Sequence, residues 1–220
     1  ENNPINLDMR EAGAMVHVTF GINIVVDTSS RHSGLFCGEF DKAWQASCSY
    51  VQKGYGLPID YQADVVIASC GGFPKDLNFY QSTKTLFNAS RAVKEGGTLI
   101  MLAECPEGSG SKDFFDWIKP LSKGCLDEAL RASFTIGGYI FYAACESIRR
   151  SKTLLLSSME PELVRDMGVR SFKDMKALLA EVDFNGKDVY VIPYGGSVLP
   201  QTKEAYERIC REAEENGGAK

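Results

Sequence analysis

The chain has 220 residues, a formal net charge of −5, and 44% hydrophobic against 24% charged residues. That is the balance of a globular domain large enough to bury a core without metal or disulfide staples. The acidic charge and the lack of a basic stripe argue against nucleic acid as a partner. No apolar run approaches the roughly 18 residues that span a membrane, and no signal peptide is visible, so no membrane partner is expected. Seven cysteines, at 37, 48, 70, 105, 125, 145 and 210, form no CxxC pair. Most sit in apolar contexts and read as reduced thiols of a cytoplasmic protein, not as zinc ligands. The chain opens Glu1-Asn2-Asn3-Pro4 without an initiator methionine and is expected to be a piece of a longer protein.

Asp8 to Met15 predicts a short helix, with Asp8 as a possible N-cap. Residues 15–26 are β-branched and partly alternating. A polar turn around Thr28 to Ser33 and a returning strand at Gly34 to Gly38 then complete a hairpin. Phe40 to Lys53 carries helical periodicity, closed by Gly54, Gly56 and Pro58. Beyond Pro58 the rhythm becomes strand, polar turn, helix. Continuous apolar runs at 64–68, 98–102, 153–156 and 189–192 are expected as strands buried on both faces. Helices are predicted between them, at Asn78–Lys94, Asp113–Ile118, Leu126–Ala132, Gly138–Arg150, Pro161–Met167 and Phe172–Val182. Gly96-Gly97 reads as the stop of the first of these. A charged helix over Thr202 to Glu215 and a frayed tail at Gly217-Gly218-Ala219-Lys220 end the chain. The expectation is an α/β fold: a mostly parallel, three-layer, Rossmann-like sheet flanked by helices, with an N-terminal β-hairpin/helix extension. Residues 58–198 would form the α/β substrate-binding domain. Residues 1–57 read as a remnant of, or connection to, a missing N-terminal domain, and residues 199–220 as the C-terminal helix and tail.

Ligands of open α/β sheets gather beyond the carboxyl ends of the strands. The segments following the four strands are Ser69-Cys70-Gly71-Gly72-Phe73-Pro74-Lys75-Asp76, Glu104-Cys105-Pro106-Glu107-Gly108-Ser109-Gly110, Ser157-Ser158-Met159 and Pro193-Tyr194-Gly195-Gly196-Ser197. Three of them are glycine-rich, either for tight turns or for close approach to a ligand. On the helix after the first, Tyr80 and Lys84 are four apart and Gln81 and Lys84 three apart, so a phenol, an amide and an ammonium share a face. Near a helix N-terminus, whose free N–H groups favour anions, this suits a small carboxylate with an adjacent hydroxyl. The bland alternative is a solvated helix face with a snorkelling lysine.

Other chemistry is weakly signalled. Neither GxGxxG nor a Walker loop is present, which weakens a nucleotide enzyme, and GxSxG is absent. His17 lies in an apolar, strand-like run and reads as structural; His32 lies in a polar turn and reads as exposed. The two are not spaced as metal ligands. Glu104 and Glu107 suit either a solvated, loop-stiffening role or acid–base or ribose-binding work, and nothing beside them signals a shifted pKa.

The run from Ala68 through Pro74-Lys75-Asp76 and Tyr80-Gln81 to Lys84 resembles the C-terminal domain of the nickel-pincer-nucleotide-dependent lactate racemase family. So do Ala92 to Ile100 and Ala103 to Gly108. Weaker similarity extends upstream through Asn23–Asp27 and downstream through Val191–Gly195. The resemblance implies the C-terminal portion of an isomerase, a 2-hydroxy acid racemase or epimerase. There, inversion proceeds by hydride transfer to a nickel-pincer nucleotide held, with the acid–base histidines, by an absent N-terminal half. It implies substrate contacts at Tyr80, Gln81 and Lys84. Tyr139, with Tyr142 on the helix after Gly137-Gly138, is read as the aromatic wall of the pocket. No catalytic residue, metal ligand or cofactor is expected on this fragment alone, which is expected to be inactive; its partners would be a small 2-hydroxy carboxylate and the missing N-terminal domain. The alternative is a non-catalytic hydroxy-acid binding protein derived from the family.

Overall fold

The computed structural model describes residues 3–27, 29, 31–111 and 113–217. The polar turn expected from Thr28 therefore lies partly outside the described residues, as do Glu1-Asn2 and the tail from Gly218. The chain divides into two compact units, Gly56–Lys203 and the flanking segments up to Tyr55 and from Glu204.

The flanking unit opens with α1 (Pro4–Ala14), capped by Asn3 rather than by Asp8. The Asn3 side chain accepts from the backbone N–H groups of Ile5 and Asn6, and Pro4 fits the first turn, where no N–H is needed. β1 (Gly21–Val26) and β2 (His32–Gly38) form the expected antiparallel hairpin. Strand structure starts only at Gly21, so His17 is exposed in an irregular segment instead of being a strand residue. α2 (Phe40–Tyr55) packs on the hairpin. Tyr50 donates its hydroxyl to Ser33 O (2.6 Å) and Tyr55 to Val26 O (2.7 Å).

The larger unit is built on five parallel strands. In chain order they are β4 (Ala63–Ser69), β5 (Val93–Leu102), β6 (Lys152–Leu156), β7 (Arg170–Phe172) and β8 (Val189–Ile192), arranged 7-6-5-4-8. The chain thus winds outward from β4 to β7 and returns to place β8 on the other side of β4. Adjacent residues of one strand serve opposite faces. Val66, Ala68, Leu99, Met101 and Leu155 pack with Leu86 of α3 (Phe79–Ala89) and Phe141 and Ala144 of α6 (Ile136–Arg149). Val65, Ile100 and Leu154 pack instead with Leu178 of α8 (Met175–Leu179) and with Val182 and Phe184. Burial on both faces is why these strands are apolar throughout rather than alternating. Between β5 and α6 come a 3₁₀ turn at Phe115–Trp117, α4 (Ile118–Ser122) and α5 (Leu126–Ala132).

Four details depart from expectation. The first helix ends at Ala89, and Gly96-Gly97 lies inside β5, not at a helix terminus. The register slips there, from Ala63 opposite Val93 to Val65 opposite Thr98. Gly96 takes a positive φ of 72°, and a Cβ on Gly97 would stand 2.8 Å from Asp64 O, so the glycines make a bulge. The two helices expected at 161–167 and 172–182 shrink to α7 (Glu162–Arg165) and α8, with β7 between them. Gly168, at φ 93°, ends the first, and Asp174 caps the second by accepting from Ala177 N (2.8 Å). Finally, β3 (Gly56–Ile59) and β9 (Leu199–Thr202) form a parallel pair containing Pro58 and Pro200, which a two-stranded ladder with open edges tolerates. α9 (Lys203–Gly217) follows.

Candidate functional site

All five strands are parallel, so the segments after β4, β5, β6 and β8 gather at one edge of the sheet. Gly71, at φ 88°, turns the chain out of β4; a Cβ there would stand 2.9 Å from the Tyr194 ring, so the loop after β8 lies against it. Asp76 ties the β4 loop to the β5 loop, its carbonyl accepting from Cys105 N (2.8 Å) and its carboxylate from Glu104 N (3.2 Å). Asn88 on α3 donates to Gly195 O (3.0 Å), which seats the β8 loop on that helix.

The start of α3 corrects one part of the sequence argument. Its first N–H groups are not free for an anion. Phe79 N donates to Gly108 O (2.8 Å), Tyr80 N to Ser109 O (3.1 Å) and Gln81 N to the Asn78 side chain (3.0 Å). The Gly108-Ser109 turn caps the helix, so charge for an anion has to come from side chains.

Those side chains meet in a pocket of about 290 Å³ between the β4 loop, α3 and the β8 loop. Gln81 and Lys84 line it, with the Lys84 ammonium donating to Gln81 Oε1 at 2.8 Å. Lys75 and Ser197 line it too, with Lys75 Nζ donating to Ser197 Oγ at 3.0 Å and lying 5.9 Å above the Tyr194 ring. Lys75 and Ser197 lie in two different strand-end loops, and nothing in the sequence marks them as partners. They are 122 residues apart, and only the placement of β8 beside β4 brings them together.

The structure does not bring Tyr80 or Tyr139 to that pocket's lining. Tyr80 is half-buried, its ring edge-on to Phe114 at 5.8 Å, in the aromatic cluster that joins α3 to α6. Tyr139 is 45% exposed beside Phe134. A second, larger concavity of about 640 Å³ lies beyond β4, β5 and β6 and holds Asp76, Glu104, Ser157 and Ser158. Both serine hydroxyls donate to Glu104 O at 2.8 Å, and the exposed Glu104 side chain borders this space. Glu107 accepts from Asn78 Nδ2 at 3.4 Å, a contact that steadies the cap of α3.

Burial pushes the Cys70 thiol up, and the neighbouring Cys105 up to about 11, so neither presents a thiolate at neutral pH. Among the described residues, no three His, Cys, Asp or Glu side chains are grouped so as to hold a metal ion. No helix among them is long and apolar enough to cross a membrane.

Residues 59–199 match the family model described as the lactate racemase C-terminal domain. The chain is similar to the lactate racemase of Thermoanaerobacterium thermosaccharolyticum, 32% identical over 217 residues, covering 92% of this chain and 50% of that protein. It is also similar to the lactate racemase of Lactiplantibacillus plantarum, 33% identical over 131 residues, covering 59% of this chain and 31% of that protein. The solved structure of the Thermoanaerobacterium apoprotein superposes with a TM-score of 0.80 at 30% identity, over 91% of this chain and 50% of that one. A Thermotoga maritima crystal structure, at 14% identity and TM-score 0.58 over 84% of this chain and 49% of that one, shares the fold. The chain spans about half the length of the Thermoanaerobacterium relative and about a third of the Lactiplantibacillus one.

Proposed function

Because the chain belongs to the lactate racemase family, matching its C-terminal domain, we propose that it supplies the substrate-carboxylate contacts of a 2-hydroxy acid racemase or epimerase. The observation that carries this is the Gln81–Lys84 pair, an ammonium and an amide held 2.8 Å apart on the wall of a small pocket at the carboxyl edge of a parallel sheet. An ammonium keeps donors free for a carboxylate while one is spent on Gln81, and the amide N–H₂ of Gln81 remains to donate to a hydroxyl or carboxylate oxygen. Tyr80 and Tyr139 would reach the substrate only from outside this pocket's lining, across a larger site.

The chain's own groups bind and orient; they do not invert. Burial holds Cys70, which lines the pocket, as a thiol. The resemblance implies a nickel-pincer nucleotide as the group that acts on the substrate. The reading assigns that group, which would supply the hydride transfer, and the acid–base pair to the part of its relatives' length that this chain does not span. The same observation favours a second reading, a hydroxy-acid binding protein without catalysis. A cytoplasmic setting is part of the proposal.

The test is reconstitution. The chain is joined to the N-terminal half of the Thermoanaerobacterium relative, and the loss of optical activity of enantiopure lactate is followed after supply of the nickel cofactor. Racemisation by the joined protein and none by the 220-residue chain is expected. Racemisation by the chain alone would overturn the division of labour. Binding of the hydroxy acid with no racemisation in any pairing would favour the second reading.

A further inference from the structure

We propose that the pocket between β4, α3 and β8 takes a dianion, a small 2-hydroxy dicarboxylate, with Lys84 and Gln81 on one carboxylate and Lys75 and Ser197 on the other. This rests on the 2-hydroxy acid reading above and narrows its substrate class.

Two ammonium groups enter one pocket from different elements, Lys75 from the turn after β4 and Lys84 from α3, and no Asp or Glu lines it. Neither lysine has a carboxylate partner among the described residues. Elsewhere in the same unit, Lys94 is paired with Asp64, Lys173 with Glu160 and Lys203 with Asp60. Each pocket lysine is aimed by a neutral acceptor instead, Lys84 by Gln81 and Lys75 by Ser197. The face of Tyr194 adds a second hold on Lys75. An ammonium has three donors, so each retains two beyond the bond that positions it. Like charges brought together without a counter-charge repel, and a ligand carrying two negative charges relieves both where a monocarboxylate relieves one. The pocket's volume of about 290 Å³ lies just below the roughly 300–1,000 Å³ of small-molecule sites, which suits a compact acid. Gly196 forms part of its lining, so backbone rather than a side chain meets the ligand there.

Isothermal titration of the 220-residue chain with malate, lactate, succinate and inorganic phosphate, at one fixed low ionic strength, tests this. Malate is expected to bind at least tenfold more tightly than lactate, and more tightly than succinate or phosphate. Lys75→Gln should collapse the malate-to-lactate preference towards unity, Lys75→Arg should restore most of it, and Lys84→Gln should weaken both acids. Equal affinity for malate and lactate, or a preference untouched by Lys75→Gln, would overturn the dianion assignment while leaving the 2-hydroxy acid reading intact. Phosphate or succinate matching malate would overturn the hydroxy-dicarboxylate specificity. Binding of neither malate nor lactate would overturn the 2-hydroxy acid reading itself, and this inference with it.

Discussion

Gly195 carries the β8 loop onto α3 with no room for a methyl group. A Cβ there would stand 2.6 Å from Thr85 Cγ2, and Thr85 is buried and stiff at χ1. Gly195→Ala should therefore push the loop outward, strain the Asn88 bond to Gly195 O, and carry Ser197 away from Lys75. A cost of about 1–3 kcal/mol is expected, as for other overpacked sites, measured by urea denaturation. Thr85→Ser, which removes the offending methyl, should recover part of it in the double variant. Thiol chemistry offers a second check at this scale. Burial pushes Cys105 up to about 11 and Cys145 up to about 12, and all of Cys70, Cys105 and Cys145 are enclosed, while Cys37 is exposed. Iodoacetamide at pH 8 should label Cys37 in the native chain and reach those three only after unfolding, as read by mass spectrometry. Gln81 and Lys84 were visible at this scale because three-residue spacing on a helix needs no tertiary information. Lys75 and Ser197 were not, because their meeting depends on which strand lies beside which.

At the level of elements, the long, doubly buried strands were legible and the short ones were not. Residues 64–68, 98–102, 153–156 and 189–192 have enough continuous apolar sequence to declare a strand covered on both faces. β7 has three residues and ends in Phe172, where a helix period also fits. β3 and β9 hide behind prolines that ordinarily mark turns. The glycine pair at 96–97 misled for a related reason, since a helix stop and a strand bulge both exploit glycine's freedom. That bulge sits against the start of β4, where Asp64 joins three strands. Its carboxylate accepts from Asp188 N ahead of β8 and from the Lys94 ammonium on β5, both at 3.0 Å. The Asp188 N–H first, and the Lys94 ammonium second, hold the Asp64 carboxyl below its ordinary value. A depressed carboxyl contributes stability that is complete above the unfolded value of about 3.9 and is lost as pH falls through the folded one. Asp64→Asn should accordingly lower stability at neutral pH and flatten its decline below about pH 4, as followed by thermal melts across pH. An unchanged acid limb would show that the strand starts are held together by other means.

The flanking unit poses the question of the whole molecule. Along β1, burial alternates: Gly21 and Val25 face α2, while Ile22, Ile24 and Val26 are exposed at 64%, 52% and 50%. Leu35, opposite Ile24 on β2, is 66% exposed and continues the same apolar face. No residue of α1 is buried, and its Ile5, Leu7 and Met9 are exposed as well. A hairpin apolar on both faces is a strand pair written for two neighbours, of which α2 is one. The reading above supplies the other, the part of its relatives' length that this chain does not span. Co-expression with the N-terminal half of the Thermoanaerobacterium relative should therefore yield a complex that survives size-exclusion chromatography. Ile24→Asp and Leu35→Asp should each abolish it, since a carboxylate in a dry interface has no partner there. Both changes lie in the flanking unit, and malate and lactate are expected still to bind with wild-type affinity. A complex that formed regardless of both changes would move the contact off the hairpin. Loss of hydroxy-acid binding along with the complex would mean that the two changes act on more than the hairpin's apolar face.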